Sequence, residues 1–323
     1  MMAPTETGTM YRVLPALAMA GRLAVARCLA VAGCSATPGP PHPHPTRPPV
    51  SYYLSLGDSL AQGVQPNASG TSVRTQQGYA DQLSASLRSS QPGLRLVKLG
   101  CPGETTATMM KGGICTYPGG SQLAAAVRFL HAHRARVPLI TIDIGANDPS
   151  SCITQPSAAK LLTCVGKFVP QASANIGKIL TRLRQADPKA RIIAMNYYLP
   201  ALAQWRQGPA GRAFARLSEL AATGYNAVLT RVYKEHGVGV ADVFGAFHTS
   251  DFSPQVTVPG LGRLPRNVAA ICQWTWECAA PPRGPDEHAN QAGYQVIARA
   301  FLLAGARQAA ARPPASGPGQ SPS

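Results

Sequence analysis

Short apolar runs alternate along the chain with longer stretches in which apolar residues recur every three or four positions. The runs at 50–56, 94–99, 138–144, 190–197 and 238–243 read as strands. The stretches near 78–90, 120–135, 157–186 and 210–236 read as helices between them. A last helix is predicted at 291–304, with Tyr294, Ile297, Ala298, Phe301 and Leu302 on one continuous apolar face. Helix 210–236 shows the same spacing in Phe214, Leu217, Ala221, Tyr225, Val228 and Val232. Both stripes are read as core. From 244 to 288 no clear period emerges, and a long loop is predicted there.

Strands that alternate with helices predict an α/β fold, a parallel five-stranded sheet with helices on both faces. Right-handed crossovers reduce the topologies to a few doubly wound forms. In such folds the functional residues gather beyond the carboxyl ends of the strands. With a 2-1-3-4-5 strand order, the second and third strands flank the first, so the loops after those three strands converge.

At 323 residues and 45% hydrophobic content the chain can build one large domain or two small ones. No apolar run approaches the roughly 18 to 20 residues of a membrane span. Residues 1–34 read as an export signal, with Arg12 ahead of a Val/Leu/Ala/Met stretch. Val31-Ala32-Gly33-Cys34 resembles the box that directs lipidation of a cysteine. Arg22 and Arg27 interrupt the apolar stretch, so simple secretion or a misassigned start codon rival lipidation at Cys34. Residues 35–49 form a Pro-rich spacer that contains His42 and His44, and 309–323 form a low-complexity tail, leaving 50–308 as the folded domain.

The whole chain carries a net charge of +16, and its charges are scattered rather than clustered. No nucleic-acid-binding signature accompanies it, so anionic lipid or cell-wall polymer is the expected surface partner. A monomer is expected. Outside the leader six cysteines remain, in three local couples: Cys101–Cys115, Cys152–Cys164 and Cys272–Cys278. Each couple is expected to staple one loop, which agrees with an exported protein. None has the spacing of a zinc site. The dinucleotide and phosphate-loop fingerprints are missing too, so neither metal nor organic cofactor is expected.

The candidate chemistry falls where the fold predicts it. Gly57-Asp58-Ser59-Leu60 follows the first strand, where a strand-to-helix junction would expose the Ser59 hydroxyl. Gly103 lies after the second strand, in Gly100-Cys101-Pro102-Gly103-Glu104. Asn147 lies after the third, in Gly145-Ala146-Asn147-Asp148, and His288 precedes the last helix. A serine is a weak nucleophile until a base takes its proton, and His288 is the histidine in a suitable loop. His131 and His133 sit in a helical stretch, and His236 ends one. The Ser59 and Gly103 amides and the Asn147 side chain are candidate oxyanion donors. Asp58 and Asp148 are read as braces of these loops. Taken singly, each residue has a plainer role: a cap, a turn glycine, a loop asparagine, a surface histidine. It is their joint order after the predicted elements that argues for a site.

These four segments resemble the GDSL/SGNH hydrolases, a family named for a Ser, Gly, Asn and His in four blocks. Ser59, Gly103, Asn147 and His288 match those positions, and the resemblance runs from about residue 50 to 304. It implies a three-layer α/β/α sandwich of flavodoxin-like type. It also implies hydrolysis of esters of lipids, aryl alcohols or acylated sugars through an acyl-enzyme. The secreted, disulfide-bearing branch of actinobacterial esterases and lipases is the most similar. One position departs from the pattern. The family usually has Asp-x-x-His, but Pro285 stands three residues before His288 and Asp286 only two before. A Pro285 carbonyl that orients His288 is the first expectation and Asp286 the second. Trp274 and Trp276, shortly before His288, either line an acyl pocket or pack as anchors.

The resulting expectation is an exported serine esterase or lipase. Its alternatives are an acetyl esterase of envelope or plant polysaccharide and, from another class, a catalytically silent surface-binding protein.

Overall fold

The computed structural model describes residues 48–149, 152 and 158–311. The leader with Cys34, nearly all of the Pro-rich spacer and the tail beyond Ala311 lie outside the described residues.

Strand β1 (Ser51–Gly57) is followed by the two-residue strands β2 (Gln65–Pro66) and β3 (Ser72–Val73), which pair as a small hairpin. Helix α1 (Tyr79–Arg88), strand β4 (Leu94–Lys98), helix α2 (Thr106–Lys111) and helix α3 (Gln122–Ala132) come next. Strand β5 (Leu139–Asp143), helix α4 (Ala158–Ala186) and strand β6 (Arg191–Met195) follow, then a 3-10 helix at Pro200–Gln207. Helix α5 (Gly208–Glu235) and strand β7 (Gly239–Ala241) complete the main sheet. Its order is β4-β1-β5-β6-β7, with every neighbouring pair parallel. This is the predicted 2-1-3-4-5 order.

The strands read as apolar runs because helices cover both faces of the sheet. All of β5 is buried, as are the last five residues of β1 and the last four of β6. Right-handed crossovers send the helix after β1 to one face and those after β4, β5 and β6 to the other. Accordingly α1 packs against the last helix, α8 (Gln291–Ala310), while α3, α4 and α5 pack in sequence. Tyr79 of α1 stacks on Phe301 of α8 with ring centroids 4.7 Å apart.

The segment predicted as one long loop contains helix α6 (Val243–Ala246), a hairpin of β8 (Gln255–Val258) and β9 (Gly262–Pro265), and helix α7 (Arg266–Trp274). These elements are too short for a period to show in sequence. The predicted stripe on α5 is offset. The buried residues are Ala215, Ser218, Asn226, Leu229, Val232 and Tyr233, while Phe214 is exposed. On α8, Tyr294, Ile297, Ala298 and Phe301 are buried and Leu302, at the edge of the stripe, is exposed. All three expected disulfides are present. No helix among the described residues is long and apolar enough to cross a membrane.

Candidate active site

Ser59 does not open a helix. It stands in a run of turns between β1 and β2, where the Gln62 and Val64 amides both donate to its carbonyl at 3.2 and 3.1 Å. Two carboxyl groups shape this turn in place of a helix. The Leu60 amide donates to Asp58 Oδ1 (2.9 Å), and the Asp58 and Ala61 amides donate to Asp143 Oδ2 (3.2 and 3.1 Å). Among the described residues the Ser59 amide makes no such bond. Gly57 has φ +134°, and a Cβ there would lie 2.7 Å from the Asp143 carboxyl carbon. The glycine is therefore required both by its backbone angle and by Asp143, whose backbone carbonyl oxygen would lie closer still to a Cβ than its carboxyl does.

The loop after β4 is drawn to the same place. The Cys101 amide donates to the Gly57 carbonyl at 2.9 Å. Gln122, fully buried at the start of α3, clamps Gly57 from the side. Its Oε1 accepts from the Gly57 amide (2.7 Å), and its Nε2 donates to the Gly57 carbonyl (2.9 Å) and to Glu104 Oε2 (3.0 Å). Gly103 lies exposed at φ +80° with open space where a Cβ would be, so it is the backbone angle that selects glycine. Its amide, like that of Ser59, has no acceptor among the described residues. Asn147 Nδ2 donates to the Glu104 carbonyl at 3.0 Å and more weakly to Asp58 Oδ2 at 3.4 Å. Asp148 braces the loop from below, accepting from the Thr106 amide (2.9 Å) and hydroxyl (2.5 Å).

His288 sits just before the Asn290 cap of α8. Its carbonyl accepts from the Trp276 amide at 3.1 Å, and the Asn290 amide donates to the Trp274 carbonyl at 2.9 Å. The ring is held by Asp286, not by the Pro285 carbonyl, which corrects the first expectation. Asp286 Oδ1 lies 2.8 Å from His288 Nδ1 and accepts from the His288 amide at 2.9 Å. An Asx turn of this kind brings a carboxylate back over the residue two positions on. An aspartate at spacing two therefore reaches a ring that the family reaches at spacing three. The other carboxylate oxygen accepts from Ser72 Oγ at 2.8 Å. With Nδ1–H assigned to Asp286, Nε2 is the ring's free acceptor.

Further ties hold the His288 loop against the segment that follows Ser59. Tyr294 Oη donates to the Val64 carbonyl (2.9 Å), and Trp276 Nε1 to Gln65 Oε1 (3.3 Å). Trp276 is capped by the Arg283 guanidinium, 5.3 Å from the ring centre. Trp274 packs edge-on against Phe247 at 5.3 Å, the anchor alternative of the two readings.

Burial lowers the His288 pKa, but the hydrogen bond and charge of Asp286, with smaller help from Glu287 and Asp58, more than reverse it. The imidazole ends above its ordinary range. Burial raises Asp286, but His288 outweighs this and leaves Asp286 below its ordinary range. Asp58 is pushed up to about 6, first by burial. Asp143 is pushed well above the carboxylate range, by burial and then by Asp58.

The structure thus brings Ser59, Gly103, Asn147, His288 and Asp286 into one linked group of loops. Asp143, Gln122 and Tyr79, whose hydroxyl donates to Asp143 Oδ1, were not predicted. One signal for Asp143 was available: a carboxylate closes the otherwise uncharged run of β5. Gln122 had none, since a helix-start glutamine is common. Among the described residues no three His, Cys, Asp or Glu side chains gather to hold a metal ion.

Residues 55–296 match the GDSL-like lipase/acylhydrolase family. Solved structures with the same fold include an extracellular lipase from Streptomyces rimosus. It is 18% identical with TM-score 0.52, over 79% of this chain and 100% of that one. A phospholipase A1 from Streptomyces albidoflavus NA297 is 18% identical with TM-score 0.51, over 80% and 100%. A lipase from a goat rumen metagenome is 15% identical with TM-score 0.51, over 79% and 98%. No curated protein matches the chain.

Proposed function

The chain belongs to the GDSL-like lipase/acylhydrolase family, and from that premise we propose that it is an exported serine ester hydrolase working through a Ser59 acyl-enzyme. His288 Nε2 takes the proton of Ser59 Oγ as the oxygen attacks the ester carbonyl. Asp286 keeps the ring in the Nδ1–H tautomer and stabilises the imidazolium that forms. The tetrahedral oxyanion accepts from the Ser59 and Gly103 amides and from Asn147 Nδ2, whose weak 3.4 Å contact with Asp58 Oδ2 gives way while its bond to the Glu104 carbonyl stays. His288 then gives its proton to the leaving alcohol. Water, deprotonated by the same ring, attacks the acyl-enzyme and releases the acid.

The observation that carries this reading is the Asp286–His288 contact, which orients the ring and leaves Nε2 open. Export is supported by the three disulfides, which persist in oxidising compartments. A fluorophosphonate probe should label the protein and fail on Ser59→Ala. A folded wild-type chain that takes no label would leave the silent surface-binding protein as the better account.

An acylated carbohydrate is the second reading of the substrate. A polar groove beside the His288 loop favours it, lined by Gln65, Gln77, Gln82, Trp276, Arg283 and Gln295. Amides that both donate and accept suit sugar hydroxyls better than an acyl chain. A panel of p-nitrophenyl esters from acetyl to palmitoyl, set beside acetylated glycans, separates the two.

A further inference from the structure

Helices α4 and α5 are far longer than the strands they cover. No strand of the main sheet exceeds 7 residues, about 23 Å, whereas α4 has 29 residues and α5 has 28, about 42 Å or more each. Two contacts mark where the helices pass the carboxyl ends of the strands. Asn175 Nδ2 of α4 donates to Thr106 Oγ1 at the start of α2 (3.0 Å), and Tyr225 Oη of α5 donates to the Gly145 carbonyl just past β5 (2.8 Å). Each helix therefore runs about 17 residues, roughly 25 Å, past the catalytic edge of the sheet. Little of this overhang is buried. From 160 to 171 no described side chain of α4 is buried, and before Asn226 α5 buries only Ala215 and Ser218. The Cys152–Cys164 disulfide ties the overhang of α4 to the chain that leads into it. The 3-10 helix at Pro200–Gln207 backs that of α5, where the Arg216 guanidinium lies over Trp205 and Phe252 at 5.1 and 5.0 Å.

Large apolar side chains are exposed along this edge. Of the seven among the described residues, five belong to it: Val73, Ile114, Leu162, Phe214 and Leu220, the last of them 65% exposed. The other two, Leu302 and Leu303, lie in the second half of α8, away from it. Cations accompany the five. Arg212, Arg216 and Leu220 stand at intervals of four, in one row along α5, and Lys167 is exposed on α4 beyond Leu162. Arg74 follows Val73, and its guanidinium reaches Cys115 Sγ (3.6 Å), which brings the Val73 hairpin beside the Ile114 loop. The one acid in either overhang, Glu219, is engaged by the Thr223 and Ser250 hydroxyls at 2.8 and 2.5 Å.

We propose that this edge is a docking surface for an anionic phospholipid bilayer. The cations meet lipid phosphates, and the apolar side chains enter the boundary between headgroups and acyl chains. An anionic cell-wall polymer would be matched by the cations alone and would leave the apolar side chains in water, so lipid is the partner this surface fits. Docking by this edge turns the site toward the bilayer, since Ser72 of the Val73 hairpin donates to Asp286 and Cys115 is bonded to Cys101, two residues before Gly103. That use in ester hydrolysis rests on the proposed function, whereas the docking itself does not.

Hydrogen exchange of the full chain carrying Ser59→Ala, with and without vesicles, tests the docking free of lipid breakdown. With vesicles of phosphatidylglycerol and phosphatidylcholine in equal parts, peptides spanning 160–172 and 208–224 should gain protection, and with phosphatidylcholine alone they should not. Leu162→Gln, Phe214→Gln and Leu220→Gln together should raise the lipid needed for half of that protection about 10-fold or more. Lys167→Gln with Arg212→Gln should raise it about 10-fold as well. Placed in the Ser59 chain, both sets should leave hydrolysis of p-nitrophenyl acetate unchanged, which also reports that they fold. Protection confined to other segments, equal protection by neutral vesicles, or an apolar variant that needs no more lipid overturns the proposal. Protection that grows with protein concentration in the absence of lipid makes the edge a contact between copies of the chain and overturns it too. A wild-type chain that hydrolyses no ester and takes no fluorophosphonate sinks the hydrolase reading instead, and the vesicle result stands apart from that failure.

Discussion

Asp286 and Asp143 are both carboxyl groups withdrawn from water within one site, yet their surroundings drive them in opposite directions. Asp286 is hydrogen-bonded to an imidazole that can take a positive charge, and its pKa falls below the ordinary range. Asp143 lies fully buried beside another acid, Asp58, whose amide it accepts from, and its pKa rises well above that range. Burial raises both, so the partner decides the outcome. The His288 side is built to hold an ion pair during the reaction. The Ser59 side is built so that buried carboxyl oxygens, accepting from the Asp58, Leu60 and Ala61 amides, keep a turn in shape.

The largest effect that sharpens this contrast is expected from Ser59→Ala, which should cut ester hydrolysis by about 10⁵-fold or more while the fold persists. Asp286→Ala should follow at about 10⁴-fold, the scale of a triad aspartate, measured as kcat on a soluble ester. A loss near 10-fold would place His288 in a dyad and erase the contrast. Asn147→Ala should cost about 100-fold to 1,000-fold in kcat, the worth of one oxyanion donor. Gly57→Ala strikes the Asp143 side through packing, since its Cβ would meet Asp143. It should cost about 3 kcal/mol or more in denaturant unfolding, and an unchanged midpoint would contradict the packing described.

The smallest effect is the contribution of the ion pair to stability. Asp286, held low when folded, adds stability that is present above its unfolded pKa and lost as pH falls through its folded value. His288, held high, adds stability that is present below its unfolded pKa and lost as pH rises through its folded value. Thermal unfolding across pH should therefore show the pair's contribution only between those two folded values, and Asp286→Asn should flatten it.

Much of this was legible in the sequence for one physical reason. Strands covered on both faces must be apolar throughout, so the central β1, β5 and β6 stand out, the edge strands β4 and β7 are short, less buried runs beside them, and the loops beyond the carboxyl ends follow. Local cysteine couples were legible because nearby cysteines close small loops at little cost. Four features were hidden. The hairpin and α7 are too short to show a period. The turn at Ser59 mimics a helix start in sequence, because what replaces the helix is a carboxyl from β5, distant along the chain. The role of Asp286 was obscured by its spacing, since an Asx turn is a property of geometry that a residue count does not reveal. The network around Asp143 lies deeper still, as Gln122 and Tyr79 are ordinary helix-start residues until the sheet brings them together.

The central claim, that an ionised Asp286 orients and polarises the His288 base, is tested most directly by the pH dependence of kcat/KM for wild type and Asp286→Asn. His288 must be neutral to accept the Ser59 proton, and Asp286 holds it above its ordinary value of 6.5. The wild-type acid limb should therefore lie above 6.5, and in Asp286→Asn it should move to lower pH as the plateau falls by about 10⁴-fold. An acid limb that stays in place, with a plateau close to wild type, would contradict the account.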